Sequence, residues 1–487
     1  MLESFWIIDG LARESLLFAG VGLFLGGIDD LLVDLVFIVR RIRHGARPRL
    51  TLATLPPPRC IGAIAVFVAA WDEVSVIGGM LSTALDRYRH DDYRIYVGVY
   101  PNDPGTIAAA AAVSARDTRV RVVIGLHDGP TTKADCLNTL WNALRRDDER
   151  EAVATKAIVL HEAEDVVHAQ ELRVFDSLIG RYAVVQLPVL PLVNRGSQLV
   201  SGHYADEFAE SHAKQVVVRT ALGAGMPLAG TGCAIAPDIL AQIAHARGGD
   251  PFDASSLTED YELGLRLAEL GAEGLFARVA ADNDGTVVAV RAYFPGTMRE
   301  SVRQKTRWMT GIALAGWDRT GWARPLAFAD HWMRMRDRRA PLAVVVLAVA
   351  YVAMPVWGLS VVLHALLGDA FPFADAARYP GTPLALMLFG ANAALLVWRL
   401  AIRMLFTGRS YGWREAVWSL PRFIVGNLVA LVAAPRAILL YIGMLRGAAP
   451  VWDKTRHEFP DLSPDPADLS PGSDVVAQHP GLAATVG

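Results

Sequence analysis

Four long apolar stretches constrain the fold of this chain more than any other feature of its sequence. The first covers residues 15–39, and three more lie near residues 340–367, 381–405 and 421–446. Each is close to the roughly 20 residues that a helix needs to cross a bilayer. Between the first two stretches, residues 47–335 have the composition of an ordinary globular protein. The sequence therefore predicts an integral membrane protein with one large soluble domain inserted between its first and second membrane segments.

The composition of the chain supports this interpretation and excludes other classes. Hydrophobic residues make up 53% of the sequence, and the formal net charge is only −3 at pH 7. We find no basic patch interleaved with aromatic residues, so we predict no nucleic-acid partner. Three scattered cysteines, Cys60, Cys136 and Cys233, are too few for a disulfide framework or a zinc site. This agrees with a reducing, cytoplasmic location for the soluble domain.

Basic residues flank the soluble domain on both sides and predict its orientation. The string "RRIRHGARPR" at 40–49 follows the first apolar stretch, and "MRMRDRRA" at 333–340 precedes the second. Because cytoplasmic flanks are rich in lysine and arginine, we place the domain in the cytoplasm and the N-terminus outside. The start of the chain lacks the basic region of a cleavable signal, so we expect the first helix to be retained. The loop at 368–380 is predicted to be external, and the basic loop at 403–422 cytoplasmic.

Acidic residues interrupt the first apolar stretch at Asp29, Asp30 and Asp34. Asp30 and Asp34 are four residues apart and share one face of a helix. Acids inside a membrane are functional suspects. We favour a structural role instead, in which they lie at the lipid headgroups or pair with basic residues of neighbouring helices. The candidate partners are Arg399, Arg403 and Arg436.

The C-terminal part of the chain carries two further features. Pro435-Arg436 lies near the centre of the last apolar stretch, where a charge costs several kcal/mol. Residues 421–446 are therefore either a full span or a broken helix at the inner interface. From residue 460 the chain is rich in proline, serine and aspartate, which predicts a disordered tail.

The soluble domain begins with strands that alternate with helices. The predicted strands lie in "IGAIAVFVAAWDE" (61–73), "YRIYVGVYPNDPGT" (93–106), "RVRVVIG" (119–125) and "KAIVLHEAED" (156–165). This alternation predicts a parallel sheet with helices on both faces. Ligands of such sheets bind at the carboxyl ends of the strands. Polar residues follow the strands at that edge, namely Asp72, Glu73, Asn102, Asp103, Glu162, Glu164 and Asp165.

Three of these acids lie within four residues, in the string "LHEAEDVVH" at 160–168. Like charges at such spacing repel one another, and a cation among their oxygens removes the repulsion. A solvated acidic turn is an equally good explanation of the string on its own. With the strand edge around it, the cluster predicts a cation-binding site at Glu162, Glu164 and Asp165.

Other motifs narrow the function. The chain has no GxxxxGK[ST] loop and no GxGxxG after its first strand, which argues against P-loop and dinucleotide-binding proteins. A Thr-Glu-Asp at 258–260 heads an amphipathic helix, and Gln304, Arg307 and Trp308 share one face of another. An acidic strand end, a Thr-Glu-Asp and a Q-x-x-R-W in this order resemble the family 2 glycosyltransferases, a group of inverting, membrane-embedded enzymes.

Shorter strings resemble one subgroup, the bacteriophage N4 adsorption protein B type of glycosyltransferase. These strings are "GVYPNDPGT", "GPTTKADCLN", "YADEFAESHAK", "TEDYELGLRL" and "VWDKTRHEFP". The resemblance implies an α/β, GT-A-like fold: a mixed, mostly parallel sheet with flanking helices, inserted between transmembrane α-helices. It also implies a nucleotide-diphosphate sugar donor, here a UDP-sugar, and Mg²⁺ or Mn²⁺ as cofactor. The chain departs from the family in carrying Glu162-Ala163-Glu164 where an Asp-x-Asp is usual, which makes the metal's position and preference uncertain.

Roles for individual residues follow from the resemblance and from the chemistry of sugar transfer. Asp260 is the candidate base for the acceptor hydroxyl, with Glu259 beside it. Helix capping is the bland alternative for both, as a solvated lysine is for Lys133 and a membrane-interface anchor is for Trp308. Donor-binding candidates are Asp72, Glu73, Asp103, Lys133, Gln304 and Arg307. Acceptor-binding candidates are Trp308, Gly232 and Cys233, the last two from the string "GTGC".

The predicted domains are a first membrane helix with its basic flank (1–46), a GT-A domain (47–297), interfacial helices (298–339), membrane helices (340–446) and a tail (447–487). We expect a multi-pass protein of the bacterial inner membrane that contacts membrane lipids and builds a cell-envelope or secreted polysaccharide. Its partners would be a glycan or lipid-linked acceptor and an envelope export protein. One alternative is single-sugar transfer to polyprenyl phosphate. The other is a degenerate transferase domain that serves as an envelope scaffold or phage-adsorption component.

Overall fold

The computed structural model describes residues 2–43, 50–281, 286–367, 382–448 and 457–460. Three predictions fall outside these residues. They concern part of the basic flank at 44–49, the external loop at 368–380 and the disordered tail after residue 460.

A seven-stranded sheet forms the centre of the soluble domain. Its strands are β1 (Ala63–Ala69), β2 (Tyr93–Val99), β3 (Val120–Ile124), β4 (Thr155–Glu162), β5 (Val184–Gln186), β6 (Cys233–Ile235) and β7 (Gly274–Phe276). Their order is β3-β2-β1-β4-β6-β5-β7, and β6 runs antiparallel to both of its neighbours while the other pairs are parallel. The prediction of a mixed, mostly parallel sheet is therefore confirmed.

Fifteen α-helices surround the sheet or extend from it within the described ranges. They are α1 (Leu2–Arg43), α2 (Ile77–Arg87), α3 (Pro104–Ser114), α4 (Lys133–Glu151), α5 (Glu171–Leu178), α6 (Val200–Glu210), α7 (Val216–Ala221), α8 (Pro237–Arg247), α9 (Glu259–Glu269), α10 (Met298–Trp308), α11 (Ala315–Thr320), α12 (Phe328–Arg338), α13 (Ala340–Leu367), α14 (Thr382–Tyr411) and α15 (Trp413–Leu445). Short π-helical segments join α6 to α7 (Ser211–Gln215) and α10 to α11 (Met309–Leu314).

The apolar run of β1 is explained by its position inside the sheet. Every residue of the strand is buried. Alternate side chains enter different cores: Ile64, Val66 and Val68 pack in one cluster, whereas Ala65 and Phe67 pack in another. Because successive side chains of a strand point to opposite faces, a strand with a core on each side needs apolar residues throughout.

Among the residues that the structure describes, four helices are long and apolar enough to cross a membrane: α1, α13, α14 and α15. Their large apolar side chains face outward, as Leu25 (64% exposed) and Leu439 (69% exposed) illustrate, which suits contact with lipid tails. Helix α1 begins at residue 2, well before the predicted start at 15. Helix α15 is continuous through Pro435, so within the described chain the broken-helix alternative is wrong.

The acids of α1 are paired, as the structural interpretation expects. Arg336 of α12 and Arg339, which follows the last residue of that helix, donate to both Asp29 and Asp30, with 2.8 Å between Arg336 Nη2 and Asp30 Oδ1. Asp34 contacts the ammonium of Lys214 and accepts from the indole of Trp398 at 2.8 Å. Of the predicted partners, Arg399 lies 3.9 Å from Asp30, whereas the shorter contacts of Asp29 and Asp30 come from Arg336 and Arg339.

Candidate functional site

A cavity of about 150 Å³ lies at the carboxyl edge of β1 and β4, between the first turns of α4 and α9 and the last turn of α10. Ten of the predicted site residues line it: Glu73, Lys133, Glu162, Glu164, Asp165, Glu259, Asp260, Gln304, Arg307 and Trp308. The topology explains this convergence, since parallel strands bring their carboxyl ends to one edge and the helices start or end there.

Lys133 lies among the acids of the cavity. It is the first residue of α4, a helix capped by Thr132, whose side chain accepts from the backbone N–H of Asp135. Its ammonium contacts the carboxylate of Glu162, donates to the Gly230 carbonyl at 3.1 Å and lies 3.7 Å from Glu259 Oε1. Burial by itself would lower the pKa of Lys133, but the surrounding carboxylates outweigh it and raise that pKa. Lys133 therefore stays charged, and the same contact lowers the pKa of Glu162.

Asp165 faces the protein interior. Only 1% of it is exposed. Its Oδ2 accepts from the Glu162 backbone N–H at 2.8 Å and from the Thr231 hydroxyl, and it lies 2.8 Å from Nδ1 of His161. The other ring nitrogen of His161 lies 2.7 Å from Glu171 Oε1. This buried network fixes the loop after β4.

Glu164 faces the cavity and meets two other ionisable side chains. The His457 Nδ1 atom lies 3.3 Å from Glu164 Oε2 and 2.7 Å from Glu73 Oε1. Glu164 Oε2 is buried and, among the described residues, has no hydrogen-bond partner. Burial raises the pKa of Glu164 to about 8, with His457 opposing and Glu162 and Glu73 adding to the rise. Burial would lower the pKa of His457, but Glu164 and Glu73 raise it to about 9.

Asp260 and Glu259 begin α9 on the opposite side of Lys133. Asp260 Oδ1 accepts from the Tyr261 backbone N–H at 2.7 Å. A Cβ atom at Gly230, whose φ is +74°, would lie 2.5 Å from Asp260 Oδ2, so this close approach requires glycine. Burial raises the pKa of Asp260, and Lys133 offsets only part of the rise. Burial likewise raises the pKa of Glu259 to about 7.

Helix α10 contributes the three residues of the Q-x-x-R-W motif to the cavity. The Gln304 side chain is buried, and its Oε1 has no hydrogen-bond partner within the described chain. The ring of Trp308 packs in an aromatic cluster, with its centroid 6.0 Å from that of Tyr204 and 6.4 Å from that of Phe294. This environment is protein rather than lipid. The membrane-anchor alternative for Trp308 therefore does not fit.

Four predicted site residues do not line the cavity. Asp103 caps α3 by accepting from the Thr106 backbone N–H at 3.2 Å, and it also accepts from the Asp72 backbone N–H at 2.6 Å. Cys233 is fully buried in β6, where burial raises its pKa to about 12. Gly232 has a φ of +59° and packs against Val290. Asp72, Asp103, Gly232 and Cys233 therefore lie outside the lining of the cavity.

A second, larger cavity of about 480 Å³ connects the site with the membrane helices. Thr258, Asp260 and Trp308 line both cavities, and the second one reaches Arg399 and Arg403 of α14. The candidate base is therefore accessible from this second cavity, which reaches the membrane helices.

Sequence reasoning missed several residues of the site. Thr231 belongs to the string "GTGC", from which only Gly232 and Cys233 were predicted, and Phe294 comes from a segment without a recognisable motif; both line the cavity. His457 belongs to "VWDKTRHEFP", one of the strings that carried the subgroup resemblance, but it was assigned to the tail. A histidine beside an aromatic residue in an otherwise polar tail was the available signal.

Comparisons with known proteins agree with this architecture. The family model described as glycosyltransferase like family 2 matches residues 58–311. The bacteriophage adsorption protein B of Escherichia coli (strain K12) is 32% identical over 97% of this chain, and the bacteriophage N4 adsorption protein B of Escherichia coli O157:H7 gives the same values. The chain spans 66% of the length of these curated relatives.

Similar solved structures include a mannosyltransferase from Pyrobaculum calidifontis in complex with GDP-Man and Mn²⁺, with 17% identity and a TM-score of 0.49 over 86% of this chain and 99% of that chain. Glucosyl-3-phosphoglycerate synthase from Mycobacterium tuberculosis has 18% identity and a TM-score of 0.33 over 57% of this chain and 87% of that chain. The family match covers more than half of the chain and includes the sheet edge, the Thr-Glu-Asp and the Q-x-x-R-W. The chain is therefore a glycosyltransferase of the glycosyltransferase like family 2.

Proposed function

We propose that this protein is an inverting, metal-dependent glycosyltransferase that uses a nucleotide-diphosphate sugar, such as a UDP-sugar, to extend a cell-envelope or secreted polysaccharide. The proposal depends above all on one observation. A single cavity brings together two cationic side chains, Lys133 and Arg307, a half-buried acid, Asp260, and an aromatic ring, Trp308. A leaving diphosphate needs the cations, an acceptor hydroxyl needs the base, and a sugar ring packs well on an aromatic face.

The residues of the cavity fit a divalent cation. Glu164 offers a buried carboxylate oxygen without a hydrogen-bond partner in the described chain. Carboxylate oxygens are the ligands that Mg²⁺ and Mn²⁺ prefer. We infer that Glu164 holds the cation. Glu162 lies beside it, and its carboxylate is paired with Lys133. When bound, the cation would supply positive charge to the diphosphate oxygens.

Other side chains of the cavity have separate roles in the sugar transfer. Lys133 and Arg307 neutralise the negative charge that develops on the leaving diphosphate. The acceptor oxygen attacks the anomeric carbon, the bond to the diphosphate oxygen breaks, and the hydroxyl proton passes to Asp260. The raised pKa of Asp260 suits this role, because a stronger base accepts the proton more readily. Gln304 offers its Oε1, which has no hydrogen-bond partner among the described residues, as an acceptor for a donor or sugar hydroxyl.

Replacement of Asp260 by asparagine tests the assignment of the base. We expect Asp260→Asn to reduce turnover about 10²- to 10⁴-fold in membranes supplied with nucleotide sugars, because the hydroxyl loses its proton acceptor. Donor binding should persist, since the amide has the same shape. Glu149→Gln is the matched control, because Glu149 lies on the surface of α4 with 73% of its side chain exposed. Turnover of Asp260→Asn close to that of the unmodified protein would refute the base.

A single transfer to polyprenyl phosphate is the enzymatic alternative. The second cavity, which runs from Asp260 to the membrane helices, would suit a lipid-linked acceptor as well as a growing glycan. Product size separates the two, because a long polymer excludes single transfer. Mass spectrometry of the products made from a panel of nucleotide sugars would also identify the donor.

The names of the curated relatives favour a further candidate, a component of phage adsorption or an envelope scaffold. Such a role would not require donor binding. Calorimetry with UDP-sugar and Mn²⁺ discriminates between them, since a complete absence of donor binding would favour the scaffold. The raised pKa of Asp260 supports the enzyme, because an ionised carboxylate in this environment costs stability and would serve no purpose in a scaffold.

A further inference from the structure

The segment His457–Pro460 follows the last described helix, α15, yet it lies against the soluble domain at the far edge of the cavity. Phe459 packs against the core cluster that fills one face of the sheet. A Cβ atom at Gly79 of α2 would lie only 3.1 Å from Phe459 Cδ1, so the ring rests directly on the backbone of that helix. Pro460 is buried. These contacts hold the neighbouring His457 in place at the cavity.

The ring of His457 points into the acid cluster. Its Nδ1 faces Glu73 Oε1 at 2.7 Å and Glu164 Oε2 at 3.3 Å. One ligand atom of each of the three side chains lies within 4.8 Å of the others. Adjacent ligands of an octahedral ion with bonds of about 2.1 Å are about 3 Å apart. The two measured distances bracket that value, so one small divalent ion can be reached by all three.

We propose that His457 is a nitrogen ligand of the catalytic cation, together with Glu73 and Glu164, and that Phe459 positions it. The proposal rests on the proposed function and refines it, because it moves the ligand set from the Glu162-Ala163-Glu164 string to residues from three separate parts of the chain. Glu162 is then free to remain paired with Lys133. The segment His457–Pro460, the most C-terminal of the described residues, thereby supplies the third ligand of the metal site.

The ligand set has a consequence for metal preference. Imidazole nitrogen favours transition metals such as Mn²⁺ over Mg²⁺, which prefers oxygen ligands. A site of two carboxylates and one imidazole should therefore bind Mn²⁺ more tightly than Mg²⁺. Removal of the imidazole should reduce this preference, and an aspartate in its place should reduce it while retaining a third ligand.

Direct metal binding tests the proposal on the full-length protein in detergent without donor. The amount of free Mn²⁺, measured by electron paramagnetic resonance, reports the affinity without any need for turnover. We expect His457→Ala to weaken Mn²⁺ binding at least about tenfold and to weaken Mg²⁺ binding less, since outer-shell changes alone cost 10- to 100-fold. His457→Asp should restore Mg²⁺ binding more than Mn²⁺ binding. His245→Ala, at an exposed histidine of α8, should leave both affinities unchanged.

The positioning role of Phe459 has its own variant. Phe459→Ala keeps the imidazole but removes its anchor, so Mn²⁺ affinity should fall by less than in His457→Ala. Phe328→Ala, at an aromatic residue with 74% of its surface exposed, is the control. Mn²⁺ affinity of His457→Ala within twofold of the unmodified protein would overturn the proposal and leave the glycosyltransferase assignment intact. If the unmodified protein bound neither Mn²⁺ nor donor, the metal-dependent function itself would fail.

Discussion

At the scale of single residues, the electrostatics of the site depend on several acids that surround the ammonium of Lys133. Lys133 contacts Glu162 and lies near Glu259 and Asp260, so each of these acids is influenced by the same charge. Glu162 is held ionised, whereas the pKa of Glu259 rises to about 7. Neighbouring carboxylates with such different proton affinities can serve different roles at one pH.

The raised pKa values at the head of α9 predict the pH dependence of turnover. Asp260 accepts a proton only when it is ionised, so turnover should fall as the pH falls through its raised pKa. The charge of Lys133 lowers the pKa of Asp260 and so limits the rise caused by burial. Lys133→Gln should therefore raise the pKa of Asp260 further and move the acid limb of the pH–rate profile to higher pH. A limb that stays at the same pH in this variant would contradict the influence of Lys133 on Asp260.

The roles of the motif residues were largely predictable from the sequence, but contacts between distant parts of the chain were not. The Thr-Glu-Asp and Q-x-x-R-W motifs carry local patterns, and their residues line the cavity as the resemblance implied. His457 lies in a string that carried the subgroup resemblance, but that string did not indicate that the histidine belongs to the site. Its position depends on Phe459 reaching the core of a domain that precedes it by several membrane helices, and single-sequence periodicity contains no signal for such a contact.

At the scale of elements, the predictability follows from length. Strands β1 to β4 have five to eight residues and were all predicted from apolar runs. Strands β5, β6 and β7 have three residues each, too few for any periodicity to be recognised. The first membrane helix was predicted too short, because its first turns carry charged residues although they continue the same helix.

The position of α9, which carries Asp260, depends on one glycine. A Cβ atom at Gly264 would lie 2.3 Å from the Met226 carbonyl oxygen and 2.7 Å from the Leu228 nitrogen. Gly264→Ala should therefore displace α9, lower stability by about 1–3 kcal/mol and reduce turnover. Thermal unfolding in detergent measures the stability change. Gly78→Ala in α2, where nothing lies within 4 Å of the new Cβ, should be neutral or stabilising by up to about 1 kcal/mol. Equal effects of the two substitutions would refute the packing argument.

The ion pairs between α1 and α12 should be energetically coupled. Asp30 and Arg336 are 2.8 Å apart with 24% and 12% of their side chains exposed. A double-mutant cycle with Asp30→Asn and Arg336→Gln should give a coupling of about 0.5–3 kcal/mol in unfolding experiments, because each single variant leaves one uncompensated charge in the partly buried network of Asp29, Asp30, Arg336 and Arg339. The surface pair Arg145 and Glu149, 3.8 Å apart, should give no more than about 0.5 kcal/mol. A coupling no larger than that of the surface pair would contradict a structural role for the acids.

At the scale of the whole molecule, the prediction concerns the side of the membrane on which the soluble domain lies. The basic flanks predict a cytoplasmic domain. A cysteine at Ile61, which is 97% exposed, introduced together with Cys60→Ala, should react with a membrane-impermeant maleimide only after spheroplasts are permeabilised. The buried Cys136 and Cys233 should remain unlabelled in both conditions and provide the background. Labelling of intact spheroplasts would place the domain outside.

Helix α10 carries the Q-x-x-R-W motif and also packs against α15, where the Thr306 hydroxyl lies 3.4 Å from the Ala433 carbonyl oxygen. The π-helical turn that follows continues this contact through Thr310 and Ala437 at 3.5 Å. A tilt of α15 would be transmitted to Arg307 and Trp308 through these contacts. Helices adjust their tilt to the thickness of the surrounding lipid. The thickness of the bilayer would thus affect the spacing of the reacting groups.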